Sequence, residues 1–424
     1  MRSSLLVIML LYVISVAAQQ LSPPIQNYSS LDYKGASQNW DIALDDIGVL
    51  YAANSQGLLT YDGQRWGLFP LESGSIVRSV FPYKGRIYTG SYREFGFWEK
   101  DNKGDMCYTS LIPLLGDYDL QGEEFWEIIS YKGAILFRSF GAIYRYADNG
   151  ITVLKRMNVD QMEVYNGRLV VAGNSGLFYL TETGELEPLP KQDALKGEAV
   201  RELILHGDQL LIGTKNGIFQ FDGSRIERLK NQKLERELEL YGLNHILSLA
   251  PEELLIGTLK SGIIHFDKSL GDISLYNRDD GLQNNTVLSM TSRNGKVWLG
   301  LDNGIDAVDF HSPINFFTDQ TGELGSVYDM ELYEGNLYLA SNTGVFRFEK
   351  GKPKILPGSK GHSWNLQVYD GVLYSSHNNG TYRVERNELV PFSTRTGSFE
   401  MLQYNRDNFF IANYTGIDSY DRAT

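Results

Sequence analysis

Short apolar segments recur at a regular interval along this chain. Each unit contains a glycine, a short apolar run, a small polar turn, a second glycine and another apolar run, as in residues 207–221 (GDQLLIGTKNGIFQF) and 335–348 (GNLYLASNTGVFRF). Within the runs, alternate side chains are apolar, and this period of two is typical of β-strands and not of helices. The pattern therefore predicts pairs of short strands joined by tight turns.

The second glycine of the unit marks ten repeats. It falls at positions 57, 96, 141, 176, 217, 262, 304, 344, 380 and 416. The mean spacing is roughly 40 residues, which is the repeat length of β-propellers. We therefore predict an all-β fold, a β-propeller of four-stranded antiparallel blades. Glycine is expected in the turn between the second and third strands because such turns need a positive φ.

The seventh unit illustrates the expected strands, which are predicted at 287–291, 296–301, 305–310 and 314–318. Only residues 230–240 (KNQKLERELEL) have a helical pattern. We expect this segment to be an elongated connection between two blades. A helical solenoid is excluded because its helices would need a period of 3.6 residues throughout.

Ten repeats exceed the four to eight blades of an ordinary propeller. We therefore predict a first ring at 19–318, made of repeats 1–7, and an incomplete second propeller at 319–424, made of repeats 8–10. Residues 25–28 (IQNY) are expected to form an outer strand that completes the last blade of the first ring. Pairing of 25–28 beside the last repeat would instead indicate a single ten-bladed ring.

The N-terminus has the features of a secretory signal peptide. Arg2 precedes an apolar stretch at 5–16 that is too short to span a bilayer, and small residues lead to Ala18. We predict a signal peptide at 1–18, with cleavage before Gln19 and export to the periplasm or the outside. The alternatives are an uncleaved membrane anchor and a buried strand.

Charge and cysteine content exclude several classes of function. The formal net charge is −13, so the surface repels phosphates, and we expect no nucleic-acid partner for this segment. Cys107 is the only cysteine, and the six histidines are scattered. An intrachain disulfide and a cysteine-rich metal site are therefore excluded, and no cofactor or metal is expected.

Residues 280–290 (DGLQNNTVLSM) and 295–305 (GKVWLGLDNGI) resemble the signature of the two-component regulator propeller. Further resemblance lies in the segments 24–28, 38–42, 57–63, 76–80 and 94–97. Together they are similar to the N-terminal ectodomain of Bacteroidetes propeller sensors, particularly the flavobacterial branch of LuxR-type transcriptional regulators. The resemblance covers essentially the whole chain after residue 18.

The resemblance implies a larger receptor. Such receptors have two seven-bladed propellers, a triple-tyrosine immunoglobulin-like domain, a membrane helix and a cytoplasmic output, either a histidine kinase or a helix-turn-helix domain. It also implies a role in sensing oligosaccharides and switching on the genes for their uptake and degradation. The later modules would lie beyond residue 424, the membrane would be reached only through a downstream helix, and a homodimer is left open.

Candidate ligand-binding residues lie near the start of the innermost strand of each blade, because these positions converge at one end of the propeller axis. They are Trp40, Arg78, Trp126, Arg201, His245, Tyr328 and Trp364. Aromatic rings with charged groups at a concave mouth suit a sugar. The alternative is that the tryptophans pack between blades and the arginines form ion pairs inside the ring wall.

Catalytic motifs are weak or missing. Glu123, Glu124 and Glu127 cluster near Trp126, and Asp279 precedes Asp280, but a glycosidase needs two carboxylates at a set separation. No Gly-x-Ser-x-Gly motif is present. We therefore predict no catalytic residue, and an extracytoplasmic ligand-sensing domain of a membrane-bound regulator. The alternative is a secreted propeller lectin or polysaccharide-active enzyme.

Overall fold

The computed structural model describes residues 21–317, 319, 321–349 and 352–421. Its described strands form ten antiparallel sheets, nine of four strands and one of three. The all-β fold and the ten repeats are therefore confirmed. The predicted signal peptide lies outside the described residues, and no helix within them is long and apolar enough to cross a membrane.

The chain divides into two compact units. Ser22–Phe316 forms the first, which we call the ring, and the described residues from Phe317 onward form the second, the three-blade unit. Strand β1 spans Ile25–Tyr28, and the short helix α1 spans Ser30–Tyr33.

The first six blades of the ring follow in chain order. Blade 1 contains β2 (Asn39–Leu44), β3 (Leu50–Asn54), β4 (Gly57–Tyr61) and β5 (Trp66–Phe69). Blade 2 contains β6 (Val77–Tyr83), β7 (Arg86–Ser91), β8 (Glu94–Lys100) and β9 (Met106–Ser110). Blade 3 contains β10 (Phe125–Tyr131), β11 (Ala134–Ser139), β12 (Ala142–Ala147) and β13 (Gly150–Arg156). Blade 4 contains β14 (Gln161–Tyr165), β15 (Arg168–Gly173), β16 (Gly176–Leu180) and β17 (Leu186–Pro188). Blade 5 contains β18 (Val200–His206), β19 (Gln209–Thr214), β20 (Gly217–Phe221) and β21 (Ile226–Arg228). Blade 6 contains β22 (Leu243–Ala250), β23 (Glu253–Thr258), β24 (Ile263–Asp267) and β25 (Asp272–Tyr276).

The remaining blades begin with blade 7, which contains β26 (Val287–Arg293), β27 (Lys296–Leu301) and β28 (Ile305–Asp309). Blade 8 contains β29 (Val327–Tyr333), β30 (Asn336–Ser341), β31 (Val345–Glu349) and β32 (Lys352–Ile355). Blade 9 contains β33 (Ser363–Tyr369), β34 (Val372–His377), β35 (Gly380–Glu385) and β36 (Glu388–Ser393). Blade 10 contains β37 (Glu400–Gln403), β38 (Asn408–Asn413) and β39 (Gly416–Asp421). Short 3₁₀ turns lie at Ile112–Leu115, Asp193–Leu195 and Arg278–Asp280.

The ring closes through β1, which supplies the fourth strand of blade 7. It pairs antiparallel with β28, with Ile25 opposite Val308 and Tyr28 opposite Ile305. The innermost strands of neighbouring blades contact one another all round, including β26 of blade 7 and β2 of blade 1. The seven blades therefore form a closed cycle.

The strand predicted at 314–318 is wrong. Among its described residues Ile314–Phe317, only Phe316 forms a bridge, to Ser22. The outer edge of β28 can pair with one strand only, and β1 occupies it. The similarity of sequence between 25–28 and 314–317 therefore does not make both segments strands of the same blade.

Aromatic packing holds β1 in place. The Tyr28 ring stacks on Trp298 of blade 7, with 5.6 Å between centroids, and meets the rings of Tyr61 and Trp66 of blade 1 at 5.3 Å and 5.4 Å. Beside it, Asn27 Nδ2 donates a 2.7 Å hydrogen bond to the buried Asp306 Oδ1. One strand thus joins the first blade to the last.

Two of the marker glycines show why glycine recurs. Gly57 has φ +148°, and a Cβ there would lie 2.3 Å from the Phe69 carbonyl oxygen. Gly96 is not in a turn, contrary to the prediction; it lies inside β8, and Arg93 supplies the positive φ of that hairpin at +55°. Gly96 is still needed, because its Cβ would lie 2.2 Å from the Thr109 carbonyl oxygen of the next strand.

The helix α2 (Gln232–Tyr241) covers most of the segment 230–240, which is predicted to be an elongated connection between two blades, and it connects blades 5 and 6. Asn231 caps it, since its Oδ1 accepts a hydrogen bond from the Leu234 backbone N–H at 2.9 Å. Leu234 and Leu238 lie one turn apart and are both buried. The connection is therefore a folded part of the blade interface.

We predict that Tyr28→Ala destabilises the ring by about 3 kcal/mol, because a buried aromatic ring is lost from the closing strand. Urea unfolding followed by tryptophan fluorescence measures this change, since Trp66 and Trp298 contact the ring. Tyr404→Ala is the control, because Tyr404 is 71% exposed, and its effect should stay below about 0.5 kcal/mol. Equal effects of the two substitutions would show that β1 does not close the ring.

Candidate functional site

The innermost strands carry a β-bulge at the same place in eight blades. At each bulge the register shifts, so that one residue of the innermost strand has no partner opposite it. Six of the seven predicted ligand residues are these extra residues: Trp40, Arg78, Trp126, Arg201, Tyr328 and Trp364. The seventh, His245, directly follows the bulge residue Asn244 of blade 6. A bulge changes the direction in which its side chain points. The same change occurs in each of these eight blades.

Five predicted residues line one cavity of about 540 Å³ on the axis of the ring. They are Trp40, Arg78, Trp126, Arg201 and His245. The innermost strands of blades 4 and 7 complete the wall with Gln161 and Ser289. Every blade of the ring therefore contributes to this cavity, which we call the axial cavity.

Tyr328 and Trp364 belong to the three-blade unit. There their rings lie 5.3 Å apart, and His362 stacks on Trp364 with 3.8 Å between centroids. Trp364 Nε1 donates a 3.0 Å hydrogen bond to Asn378 Oδ1. These two residues thus form an aromatic cluster of their own.

One wall of the axial cavity is an arginine held between two indoles. The Arg78 guanidinium carbon lies 4.1 Å from the Trp40 ring centroid and 4.8 Å from that of Trp126. Arg78 Nη2 also forms a 3.3 Å ion pair with Glu124 Oε1. The ion pair considered as the alternative role for this arginine is therefore present, together with the cation–π contacts. Arg201 forms no ion pair with a described residue.

Several donors on this wall are buried without an acceptor. Within the described residues, Arg78 Nε, Arg78 Nη1 and Trp126 Nε1 have no hydrogen-bond partner. An unsatisfied buried donor costs about 1–3 kcal/mol. By contrast, Trp40 Nε1 donates to Ser55 Oγ at 2.9 Å. In this wall, the Trp40 indole is held by a hydrogen bond, whereas Arg78 and Trp126 have donors that lack an acceptor among the described residues.

The opposite wall holds His245. Its Nδ1 lies 3.2 Å from Glu202 Oε2 and its Nε2 lies 3.1 Å from the Met290 carbonyl oxygen. The Met290 carbonyl oxygen can only accept, so Nε2 must carry a proton. Burial lowers the pKa of His245, but Glu202 outweighs it, with Asp41 adding to the effect, so the pKa lies above its ordinary value.

The innermost strands of blades 3 and 4 carry two largely buried carboxyl groups, Glu127, which lines the cavity, and Glu163. Burial raises the pKa of Glu127 to about 7, against the pull of Arg138, whose Nε lies 2.6 Å from Glu127 Oε2. Burial also raises the pKa of Glu163 to about 7, and the nearby Glu202 adds to this shift. Glu127 and Glu163 therefore both gain or lose a proton near neutral pH.

Sequence reasoning selected His245, which follows a bulge, but missed Asp41 at the same position of blade 1 and considered Glu127 of blade 3 only as a possible catalytic carboxylate. Asp41 Oδ2 accepts a 2.9 Å hydrogen bond from the Val80 backbone N–H of the next blade. Glu127 Oε2 accepts one from the Met162 backbone N–H at 3.1 Å. Their position one residue after each predicted residue is a signal that could have found them. Sequence reasoning also missed Phe140, which lines the cavity from the turn between β11 and β12.

The three glutamates near Trp126 each have their own protein partner. Glu123 Oε2 accepts a 2.7 Å hydrogen bond from the Tyr144 hydroxyl, while Glu124 pairs with Arg78 and Glu127 with Arg138. Among the residues that the structure describes, no group of three or more His, Cys, Asp or Glu side chains is placed to hold a metal ion.

Solved structures share this fold. The extracellular domain of the putative hybrid two component system BT3049 from B. thetaiotaomicron is 17% identical, with a TM-score of 0.70, over 95% of this chain and 59% of that one. The chain shares the β-propeller fold of this domain. The extracellular domain of the putative one component system BT4673 from the same organism is 14% identical, with a TM-score of 0.54, over 96% of this chain and 59% of that one.

An enzyme is also among the similar structures. A catalytically inactive virginiamycin B lyase from Staphylococcus aureus, crystallised with quinupristin, is 13% identical, with a TM-score of 0.54, over 68% of this chain and 99% of that one. No family model and no curated protein matches the sequence. The chain spans 59% of the length of the two B. thetaiotaomicron domains, and the fold implied by the sequence resemblance is confirmed.

We predict that the ring becomes less stable as pH rises through 7, and that Glu163→Gln reduces this loss. The folded pKa of Glu163 is about 7 against an ordinary value of 4.5, so folding favours the protonated form. Its stabilising effect is complete below pH 4.5 and lost as pH rises through 7. At pH 8 the variant should exceed the parent protein by about 2 kcal/mol, and at pH 4.5 the two should agree.

Urea unfolding at a series of pH values measures this difference. Glu239→Gln, on the exposed side of α2, is the matched control and should show no pH-dependent gain. A Glu163→Gln variant with the same pH profile as the parent would contradict the prediction.

Proposed function

We propose that this chain is the extracytoplasmic, ligand-sensing propeller part of a membrane-bound signalling or transcriptional regulator, and that the axial cavity binds an oligosaccharide or related nutrient. One observation carries the proposal. Bulges on separate blades bring Trp40, Arg78, Trp126 and Arg201 to a single cavity, with His245 beside them. The cavity itself has the size of a small-molecule site.

The chemistry of the wall supports a polyhydroxylated ligand. Indole faces suit the apolar face of a sugar ring, while hydroxyl groups can accept from donors such as Arg78 and Trp126 that lack a partner. A closed ring packs too densely to deform continuously, so the bound state would be relayed as a rigid-body change. The output, a histidine kinase or a helix-turn-helix domain, would belong to a longer protein.

The similar structures support the same role. Two of them are extracellular domains of putative one component or hybrid two component systems. A secreted lectin or polysaccharide-active enzyme is the second candidate, and Glu127 favours it, because a carboxyl group with a pKa of about 7 suits a general acid. Glu127 is already bound by Arg138 and by the Met162 N–H, and we therefore favour the sensor.

A thermal-shift screen of the purified chain against oligosaccharides, with product analysis of every hit, tests the proposal. A ligand stabilises the folded state by RT ln(1 + [L]/Kd). We expect stabilisation without turnover. Product formation would favour the enzyme, and a lack of stabilisation across neutral and acidic sugars would contradict sugar sensing.

We predict that Trp126→Ala weakens the binding of any hit at least about tenfold, because one face of the arginine–indole wall is lost. Isothermal titration measures the change, and the melting temperature without ligand checks that the variant folds. Tyr404→Ala, an exposed aromatic substitution in the three-blade unit, is the control and should bind like the parent. Equal affinities of the two variants would place the ligand elsewhere.

A further inference from the structure

The charged side chains of the axial cavity are mostly paired with one another. Arg78 pairs with Glu124 at 3.3 Å and Arg138 pairs with Glu127 at 2.6 Å. Across the cavity, His245 pairs with Glu202 at 3.2 Å. All six side chains are largely buried. The positive and negative members of each pair lie close together, so each pair exerts little net electrostatic field on the cavity.

Asp41 is saturated by hydrogen bonds from the protein. Its Oδ2 accepts from the Val80 backbone N–H at 2.9 Å, and its Oδ1 accepts from the Ser289 hydroxyl at 3.0 Å. The Ile42 backbone N–H donates to Oδ1 as well, at 2.8 Å. This carboxylate therefore ties blade 1 to blades 2 and 7 and has little capacity left for a ligand.

Besides Asp41, two lining charges have no ion-pair partner among the described residues, namely Arg201 of blade 5 and Asp160, which precedes blade 4. They have opposite signs and come from neighbouring blades. Arg201 is exposed to solvent, where a single charge contributes little to binding. Glu163, which also lacks a cation partner among the described residues, carries only part of a negative charge at neutral pH because burial raises its pKa to about 7.

Aromatic surface and hydrogen-bonding groups therefore dominate the recognition surface. Phe140 is 53% exposed, and its ring lies 5.7 Å from that of Trp126. Phe140, Trp126 and Trp40 together form an aromatic wall of the cavity, and Phe140 is the member at the rim. Trp126 Nε1, Arg78 Nε and Arg78 Nη1 are buried donors without a hydrogen-bond partner among the described residues.

We infer that the axial cavity selects an uncharged sugar over a uronate or an amino sugar. Apart from Asp160 and the solvent-exposed Arg201, the lining cations and anions are already engaged by the protein. A charged ligand group elsewhere in the cavity would have to compete with a buried ion pair, and disrupting such a pair leaves its other member buried and uncompensated. A hydroxyl group needs no such disruption. The inference rests on the proposed function, since it specifies the ligand class of the same cavity.

Matched pairs of oligosaccharides test this selectivity. Galactotriose is compared with trigalacturonic acid, and the N-acetylglucosamine trimer with the glucosamine trimer, each by isothermal titration at 50 mM and 500 mM NaCl. We expect the neutral member of a pair to bind at least tenfold more tightly, with a Kd that changes less than twofold between the two salt concentrations.

The outcomes separate the two proposals. Tighter binding of a charged member, or binding that weakens steeply with salt, would overturn the selectivity and leave sugar sensing intact. Failure of all four probes, extended to neutral and acidic sugars in the thermal-shift screen, would overturn sugar sensing and the selectivity with it.

Phe140→Ala tests the aromatic wall without disturbing the core, because the side chain is half exposed. We expect it to weaken binding of the preferred neutral probe at least fivefold while the melting temperature without ligand stays unchanged. Tyr92→Ala is the matched control, since Tyr92 is similarly exposed in the corresponding turn of blade 2. Equal binding by these two variants would contradict the role of Phe140.

Discussion

The closure of the ring is the constraint on which the rest of this structure depends. A four-stranded blade can bury its faces only against other blades, so the first and last blades must meet. Here β1 makes that contact, because it pairs with β28 of blade 7 while Tyr28 packs against Tyr61 and Trp66 of blade 1. The axial cavity exists only because this contact holds all seven innermost strands around one axis.

A single extra residue in six of the seven blades of the ring turns this scaffold into a candidate site. The bulge residue points into the cavity, and the next residue bonds to the inner strand of a neighbouring blade, as Asp41 does with Val80 and Glu127 with Met162. Ligand-facing and blade-joining side chains therefore alternate along the same short segment. Binding and ring stability are consequently coupled through adjacent positions of one strand.

Much of this arrangement could be predicted from the sequence because it repeats. The period indicated ten blades, and the common position of the bulge explains why residues chosen by their place in the repeat, such as Trp40 and Arg201, share a cavity. Pairing between blades could not be predicted in this way. Arg78 and Glu124 are 46 positions apart and meet only through the fold, and the two similar segments 25–28 and 314–317 compete for one strand edge, which their composition does not decide.

The position of β1 also bears on how the ring assembles during synthesis. Asn27 and Asp306 are hydrogen-bonded across 279 positions, whereas the hairpins of each blade join neighbouring segments. Local hairpins form quickly, and the closure of a long loop is slow and entropically unfavourable. The first strand to leave the ribosome must therefore wait for almost the whole ring to be made. A chain that stops before β28 leaves that strand unpaired and open to association with other chains.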